Sequence, residues 1–240
     1  MCGRFMLKSS IDEIAGLFDV DQRPNLRPRY NIAPTQDTAV VRNERVDSGN
    51  ERVGRELAML RFGLVPHWAD DPKVGYKMIN ARGETVHRLP SFRDAYKKRR
   101  CLIPTDGFFE WQAVDGSEKA PKQPFLIRRR DQQPFAFAGI FERWQSKGGA
   151  ETIESFAIVT TSANRTLAPI HHRMPVVLDS AAYATWLDPT QDARPLLAPC
   201  PEDWLEPVMI GQRINKPAND DPSVLTPVDQ PITPAQGSLF

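Results

Sequence analysis

Short strand-like segments dominate this chain, and helices do not alternate regularly with them. Runs rich in β-branched and aromatic residues recur at residues 38–42, 56–62, 101–104, 107–112, 125–129, 135–141 and 156–161. A doubly wound α/β sheet needs a helix between successive parallel strands, so the pattern argues against that fold. No internal repeat is visible. The sequence predicts one mostly antiparallel α+β domain, in which residues 125–129 and 135–141 form a hairpin.

Few segments have helical character. Residues 9–13 have the pattern of a capping box, and Ile14 and Phe18 would lie on the inward face of the helix that follows. Residues 91–100 and 181–187 predict two further helices. A short helix is also expected to begin near Asn80, which suits an N-cap position.

Prolines divide the C-terminal part of the chain. They occupy positions 217, 222, 227, 231 and 234, and such spacing does not permit a regular helix or strand. We therefore expect residues 1–222 to form the domain. Residues 223–240 are expected to be a proline-rich tail, wrapped on the surface or disordered.

Charge and cysteine content limit the partners and the compartment. The formal net charge is +1, so a surface for nucleic acid has to be a local patch. One basic run, at residues 97–100, is either a solvated helix end or a DNA contact. Three widely spaced cysteines form no disulfide framework, which fits a reducing cytosol. Neither a leader peptide nor an apolar run of ~18 residues is present, so we expect a cytoplasmic protein without membrane association.

The second residue carries the most distinctive chemistry. Removal of Met1 would leave Cys2 with a free α-amine and a thiol on adjacent carbons. Their ordinary pKa values are ~8 and ~8.5, so part of each is nucleophilic at neutral pH. The thiol could attack an acyl group, or amine and thiol together could capture an aldehyde as a Schiff base and then a thiazolidine. Alternatively, Cys2 is an ordinary buried cysteine.

A carboxylate lies within an aromatic run at residues 106–111. If this run is a strand, Phe108 and Glu110 share one face while Phe109 and Trp111 share the other. Glu110 is then either solvent-facing or desolvated, and desolvation would raise its pKa toward the range useful for acid–base catalysis.

Two adjacent histidines, His171 and His172, precede Arg173 and a predicted strand. Adjacent side chains should point in different directions, and the four histidines show no HxxxH or HExxH spacing. We therefore expect no metal site.

Taken together, these segments resemble the SRAP (SOS response-associated peptidase) domain family of abasic-site processing proteins. The resemblance covers most of residues 1–222, through the segments 1–4, 30–35, 62–69, 79–85, 100–111, 156–164, 170–175 and 219–222. It implies a single compact domain in which antiparallel sheets form a barrel-like core with short peripheral helices. It also implies a monomer without cofactor that binds single-stranded DNA and bonds covalently to abasic sites, at the nucleoid during DNA damage.

The resemblance assigns roles to four central residues. Cys2 would react after Met1 removal, Asn80 would position its amine, and Glu110 would act as acid and base. His171 would assist opening of the sugar ring, although His172 leaves the choice between the two histidines open.

A second group of residues would hold the DNA. The resemblance implies that Arg4, Arg82 and Arg173 hold phosphates and that Trp68 stacks on bases or wedges at the edge of the DNA-binding groove. Nearby positive charge is expected to lower the pKa of the Cys2 thiol.

Two alternatives and one process stay open. A terminal cysteine also fits an N-terminal-nucleophile amidohydrolase, and a non-catalytic DNA-binding module with a packed Cys2 belongs to a different class. Met1 could be removed by a host aminopeptidase or by the domain itself, which is the peptidase activity that the family name suggests.

Overall fold

A computed structural model of the chain describes residues 2–43, 54–114 and 121–232. The predicted polar connection at 43–54 lies almost wholly outside the described residues, as do Met1 and the end of the predicted tail from residue 233. No helix in the described ranges is long and apolar enough to cross a membrane.

Thirteen strands and three α-helices occur in the described ranges. The strands are β1 Phe5–Leu7, β2 Arg29–Ile32, β3 Asp37–Asn43, β4 Arg55–Phe62, β5 Asn80–Arg82, β6 Arg100–Thr105, β7 Gly107–Ala113, β8 Lys122–Arg129, β9 Phe135–Gln145, β10 Thr152–Ser162, β11 Arg173–Pro175, β12 Val177–Leu178 and β13 Leu205–Met209. The α-helices are α1 Ile11–Phe18, α2 Arg93–Lys98 and α3 Tyr183–Leu187, and short 3-10 helices include Pro72–Lys77, Gln212–Asn215 and Pro222–Leu225.

Five strands close into a barrel. The order is β10–β4–β3–β6–β9, and β9 pairs again with β10. Within this ring only β4 and β10 are parallel, over Ser155–Arg61 and Phe156–Phe62. Closure leaves no unpaired edge in the ring. The short strands β5, β11 and β12 add to β10 and β9 at its periphery.

A second sheet, β13–β8–β7–β1–β2, is antiparallel throughout and packs on the barrel. Edge-to-face aromatic contacts join the two layers: Phe5 lies 5.6 Å from Phe62, and Phe108 lies 5.6 Å from Phe137. The chain passes from the barrel into this sheet at Asp106. Its buried carboxylate accepts hydrogen bonds from the backbone N–H groups of Lys8 and Ser9, at 2.6 and 2.9 Å.

The predicted α+β class with a barrel-like core and short peripheral helices is confirmed. The capping box is also confirmed, since the Ser10 hydroxyl accepts from the N–H of Glu13 while the Glu13 carboxylate accepts from the N–H of Ser10. Ile14 and Phe18 lie buried on the inward face of α1, as the periodicity predicts.

Two local predictions were wrong. Strands β8 and β9 do not form a hairpin, because β8 pairs with β7 and β13 while β9 pairs with β6, β10 and β12. Asn80 does not cap a helix; it begins strand β5, which runs parallel to β10 with Asn80 opposite Ile158. In both cases long-range pairing with a strand distant in sequence overrides the local pattern.

The domain boundary at residue 222 stays a prediction. In the described part of the expected tail, Val224 is buried and Ile210 bridges to Pro227. The N–H of Ile232 donates to the side chain of Gln123 at 2.9 Å.

Candidate active site

Cys2 is fully buried at the entry to the second sheet. The next strand, β1, lies between β2 and β7, and the N–H of Phe109 donates to the carbonyl of Arg4 at 3.0 Å. The Cys2 thiol lies 3.8 Å from that same carbonyl oxygen. The N-terminal segment therefore runs alongside the strand that carries Glu110.

Asn80 contacts Cys2 directly. Its Nδ2 donates to the Cys2 carbonyl at 3.1 Å, across 78 positions of sequence. Its Oδ1 is buried and accepts no hydrogen bond from the described residues. Strand β5 makes this contact possible, because pairing with β10 fixes the Asn80 backbone beside the N-terminal segment.

Glu110 is desolvated rather than solvent-facing. It is only 5% exposed in the middle of β7, and burial raises its carboxyl pKa to about 7. The strand alternates as predicted: Phe108 joins the main core, while Phe109 and Trp111 belong to a second small cluster on the opposite face. A carboxyl group of this pKa can both donate and accept a proton near neutral pH.

The expectation for the Cys2 thiol was wrong. Burial raises the pKa of the thiol, and the nearby Glu110 carboxylate raises it further. These effects outweigh any positive charge at the site, so the thiol is protonated at neutral pH.

The two histidines differ in environment. Nδ1 of His171 lies 2.9 Å from the backbone nitrogen of Arg173 and 3.1 Å from its carbonyl oxygen, so the Arg173 backbone fixes the orientation of the ring. Burial lowers the pKa of His171 to about 4, so this ring is neutral at pH 7. His172 is exposed. The rings do not point in different directions as expected; they stack at 4.4 Å with 24° between their planes.

Strand pairing brings the histidine segment to the site. Gln112, two residues after Glu110 on β7, donates to the Pro169 carbonyl at 2.9 Å. Strands β5 and β11 both pair with β10, where Thr160 lies opposite Arg82 on one side and Pro175 on the other. The segments that carry Asn80, Glu110 and His171 thus converge from three strands.

The three predicted DNA-binding arginines differ in how their charges are balanced. Arg4 donates to neutral oxygens, at 2.8 Å to Asn31 Oδ1 and 3.1 Å to the Ile214 carbonyl. Arg82 is exposed and forms no ion pair with any described residue. Arg173 forms a two-pronged ion pair with Glu84, at 2.5 and 2.9 Å, which offsets its charge.

Trp68 lies on the surface. It is 53% exposed, unusual for so large an apolar side chain, and the adjacent Ala69 carbonyl is anchored by the Trp144 indole at 2.6 Å. The turn holding Trp68 is therefore fixed while its ring is open to a partner.

Sequence reasoning missed Asn31. It is fully buried and hydrogen-bonded to Arg4 and to three backbone carbonyls of the C-terminal segment. The available signal was its place in the quoted segment 30–35, where an amide side chain is flanked by apolar residues. No group of three or more His, Cys, Asp or Glu side chains in the described ranges could hold a metal ion.

These features define a class of protein: a single α+β barrel domain with a buried cysteine near its N-terminus, beside an amide, a near-neutral carboxyl group and an unprotonated imidazole. The family model described as SOS response associated peptidase (SRAP) matches residues 1–217. The chain belongs to this family.

Individual relatives agree with this assignment. The chain is 38% identical over 232 residues to the abasic site processing protein YoqW of Bacillus subtilis (strain 168), covering 94% of this chain and 99% of that protein. It is 32% identical over 231 residues to the abasic site processing protein HMCES of Gallus gallus, covering 85% and 67%. A crystal structure of a Bacteroides thetaiotaomicron protein superposes with a TM-score of 0.80 at 26% identity, covering 95% and 100%.

Proposed function

We propose that this protein processes abasic sites in single-stranded DNA by forming a covalent thiazolidine crosslink through Cys2 once Met1 has been removed. The observation that carries the proposal is the contact between Asn80 and buried Cys2 beside Glu110, whose pKa is near neutral. The names of the relatives, abasic site processing proteins from bacteria and vertebrates, supply the substrate class.

The reaction starts from the closed hemiacetal of the abasic sugar, which must open to its aldehyde. Ring opening moves a proton from the hydroxyl oxygen to the ring oxygen, a transfer suited to Glu110 and neutral His171. The Cys2 α-amine then adds to the aldehyde carbon, and loss of water gives a Schiff base. The thiol adds to the same carbon while its proton passes to the nitrogen. Aldehyde and aminothiol are thereby converted to a thiazolidine and one water.

The raised thiol pKa sets the order of these steps. A protonated thiol is a poor first nucleophile, so the amine attacks first and the thiol closes the ring on the more electrophilic Schiff base. In an amidohydrolase the thiolate begins the reaction, so a thiol with a raised pKa would first need a base to remove its proton.

Asn80 positions the Cys2 backbone. Its Nδ2 already holds the Cys2 carbonyl, and its buried Oδ1 is an acceptor for the α-amine after Met1 leaves. An acceptor at this point directs the nitrogen lone pair away from Asn80 and toward the substrate.

The DNA strand is held by charge and stacking. Arg4 and Arg82 carry charges that form no ion pair with a carboxylate of the described residues. Arg173 also faces the DNA, but its ion pair with Glu84 offsets its charge. Exposed Trp68 stacks on a base near the lesion. The protein acts as a monomer, in the cytoplasm at the nucleoid during DNA damage, and the covalent bond supplies persistence.

Met1 must be removed before Cys2 has a free α-amine. Hydrolysis of the Met1–Cys2 peptide bond by the domain itself would be the peptidase activity, and Schiff-base chemistry at the sugar gives it lyase character. Intact mass of the protein produced with and without a methionine aminopeptidase distinguishes self-processing from host processing.

The experiment is incubation with a single-stranded oligonucleotide that carries one abasic site. We expect an SDS-resistant slower band and a mass increase equal to the oligonucleotide minus one water. Cys2→Ala and Cys2→Ser both keep the α-amine but lack the thiol, so either variant gives a stable band only after borohydride reduction of the Schiff base.

Cys101→Ala is the matched control, because Cys101 is equally buried but lies in strand β6 of the barrel. It should crosslink like the wild type. The proposal is contradicted if the wild-type protein, with Met1 removed, forms no adduct or hydrolyses glutamine instead.

A further inference from the structure

Two segments that the catalytic proposal does not use lie against each other. Residues 30–35 contain strand β2 beyond Arg29, and residues 219–222 lie near the other end of the chain. The segment of residues 212–220, here named the C-terminal strap, leads into residues 219–222 and contacts β2. It begins with the 3-10 helix Gln212–Asn215 and continues to Asp220.

Asp220 clamps the end of the strap to β2. Its Oδ1 accepts from the backbone N–H groups of Tyr30 at 2.5 Å and Asn31 at 2.9 Å. Its Oδ2 accepts from the guanidinium of Arg29. This carboxylate therefore fixes where the strap meets the sheet, 190 positions away in sequence.

Asn31 holds the rest of the strap and Arg4 at once. Its Nδ2 donates to the carbonyls of Ile214, Lys216 and Asn219, at 3.2, 3.0 and 2.8 Å. Its Oδ1 accepts from Arg4 Nη1 at 2.8 Å. One fully buried amide thus joins the strap to the strand that follows Cys2. Three carbonyls share the two N–H donors of this amide, so its donor capacity is fully used.

Arg4 lies between the strap and Trp111. Its Nη1 also donates to the Ile214 carbonyl at 3.1 Å, and Nη2 points to the Asn215 carbonyl at 3.4 Å. The Trp111 indole lies 6.0 Å from the Arg4 guanidinium carbon and donates to Asn215 Oδ1 at 2.8 Å. Trp111 directly follows Glu110, and Arg4 lies two residues after Cys2. The strap therefore contacts both the strand that carries Glu110 and the segment that carries Cys2.

We propose that Asn31 is a positioning residue, which holds Arg4 against the C-terminal strap so that its guanidinium faces a DNA phosphate beside Cys2 before DNA arrives. The inference rests on the proposed function. All the described hydrogen-bond acceptors of Arg4 are neutral oxygens, so its charge stays available to a phosphate while its conformation is fixed. A preset cation loses less conformational freedom on binding than a mobile one.

A double-mutant cycle on the crosslinking rate tests this. Arg4→Ala, Asn31→Ala and the double variant are compared with the wild type over a range of abasic-oligonucleotide concentrations. Each single variant should lower the rate at low DNA concentration about tenfold, the effect expected from losing one charge-assisted hydrogen bond. The limiting rate at saturating DNA should change much less.

The double variant decides between the roles. If Asn31 acts through Arg4, the double variant is no slower than the slower single variant. Effects that multiply to about a hundredfold, or an Asn31→Ala defect confined to the limiting rate, would overturn the proposal. A wild-type protein that forms no crosslink would instead overturn the proposed function itself.

A second pair of variants keeps the test informative if Asn31→Ala does not fold. Asp220→Asn weakens the clamp on β2 without touching Arg4. Asp221→Asn is its matched control, because the adjacent Asp221 contacts Arg213 and Ser223 within its own segment. Asp220→Asn should slow crosslinking at low DNA concentration several-fold, and Asp221→Asn should not. Equal effects of the two variants would contradict a positioning role for the strap.

Discussion

At the scale of single residues, burial decides the protonation states of the candidate site. Cys2 and Glu110 both lose water, which favours their protonated forms, whereas His171 loses water and favours its neutral form. The result at pH 7 is a neutral thiol, a neutral imidazole and a carboxyl group that exchanges its proton readily. Such a set supports proton transfer without a fixed charge on any of the three groups.

Glu110→Gln should make the stability of the protein less dependent on pH. The folded-state pKa of Glu110 is about 7 against an ordinary value of 4.5, so between these values the folded state holds a proton that the unfolded state releases. The free energy of unfolding therefore falls as the pH rises through this window, by up to about 3 kcal/mol from this group. Glutamine does not titrate, so the variant does not lose this stability as the pH rises.

Urea unfolding of both proteins at pH 4.5, 6 and 7.5 measures the effect. The stability difference in favour of Glu110→Gln should grow with pH, while crosslinking by the variant is impaired and binding to intact DNA is nearly unchanged. A constant difference across this range would mean that Glu110 is not desolvated in solution.

At the scale of elements, close backbone contact holds the loop that leads to Asn80. The 3-10 helix Pro72–Lys77 lies against the end of β4, where Gly63 adopts φ +120°. A Cβ on Gly75 would lie 2.6 Å from the Gly63 carbonyl oxygen, and backbone cannot yield as a flexible side chain does. Only glycines permit this approach, which sets the path of the chain from the Trp68 turn into β5.

Gly75→Ala should therefore lower the free energy of unfolding by about 1–3 kcal/mol, as overpacking of a tight contact does. Crosslinking should fall as well, because the displaced helix ends only three residues before Asn80. Gly16→Ala is the control: Gly16 lies within α1 with open space around it, and alanine there should stabilise by about 0.5–1 kcal/mol. Thermal unfolding of both variants checks the opposite signs.

At the scale of the whole molecule, a net charge of +1 leaves attraction for DNA to a few local cations. Because Arg173 is paired with Glu84, the proposed function predicts that Arg4 and Arg82 are the principal phosphate contacts. Binding to intact single-stranded DNA should therefore be weak and depend modestly on salt, with a log–log slope of about −1.4 for two contacts. The covalent adduct, once formed, should be insensitive to salt.

Salt titrations of Arg82→Gln and Arg173→Gln test this ranking. Arg82→Gln should reduce the slope by about 0.7, the loss of one contact to a single strand. Arg173→Gln should change the slope less, because its charge is already offset. The ranking is wrong if Arg173→Gln has the larger effect.

Local sequence patterns predicted most of the helices and strands, because the formation of these elements depends largely on neighbouring residues. The α1 capping box and the alternation of Phe108 and Phe109 in β7 follow from periods of 3.6 and 2 residues. Strand β10 contains the predicted segment 156–161, and helix α3 lies within the predicted helix 181–187. The resemblance of several short segments to one family supplied the remaining expectations about the fold, and the closed barrel agrees with them.

The amino-acid sequence by itself determined the seven longest strands and which residues carry unusual chemistry, including Cys2 and Glu110. Only the tertiary structure decided that β8 and β9 belong to different sheets, that Asn80 starts a strand, and that Asn31 joins Arg4 to the C-terminal strap. It also reversed the expected direction of the Cys2 pKa. The physical reason is that pairing and desolvation depend on which distant segments meet, and a local pattern carries no information about that.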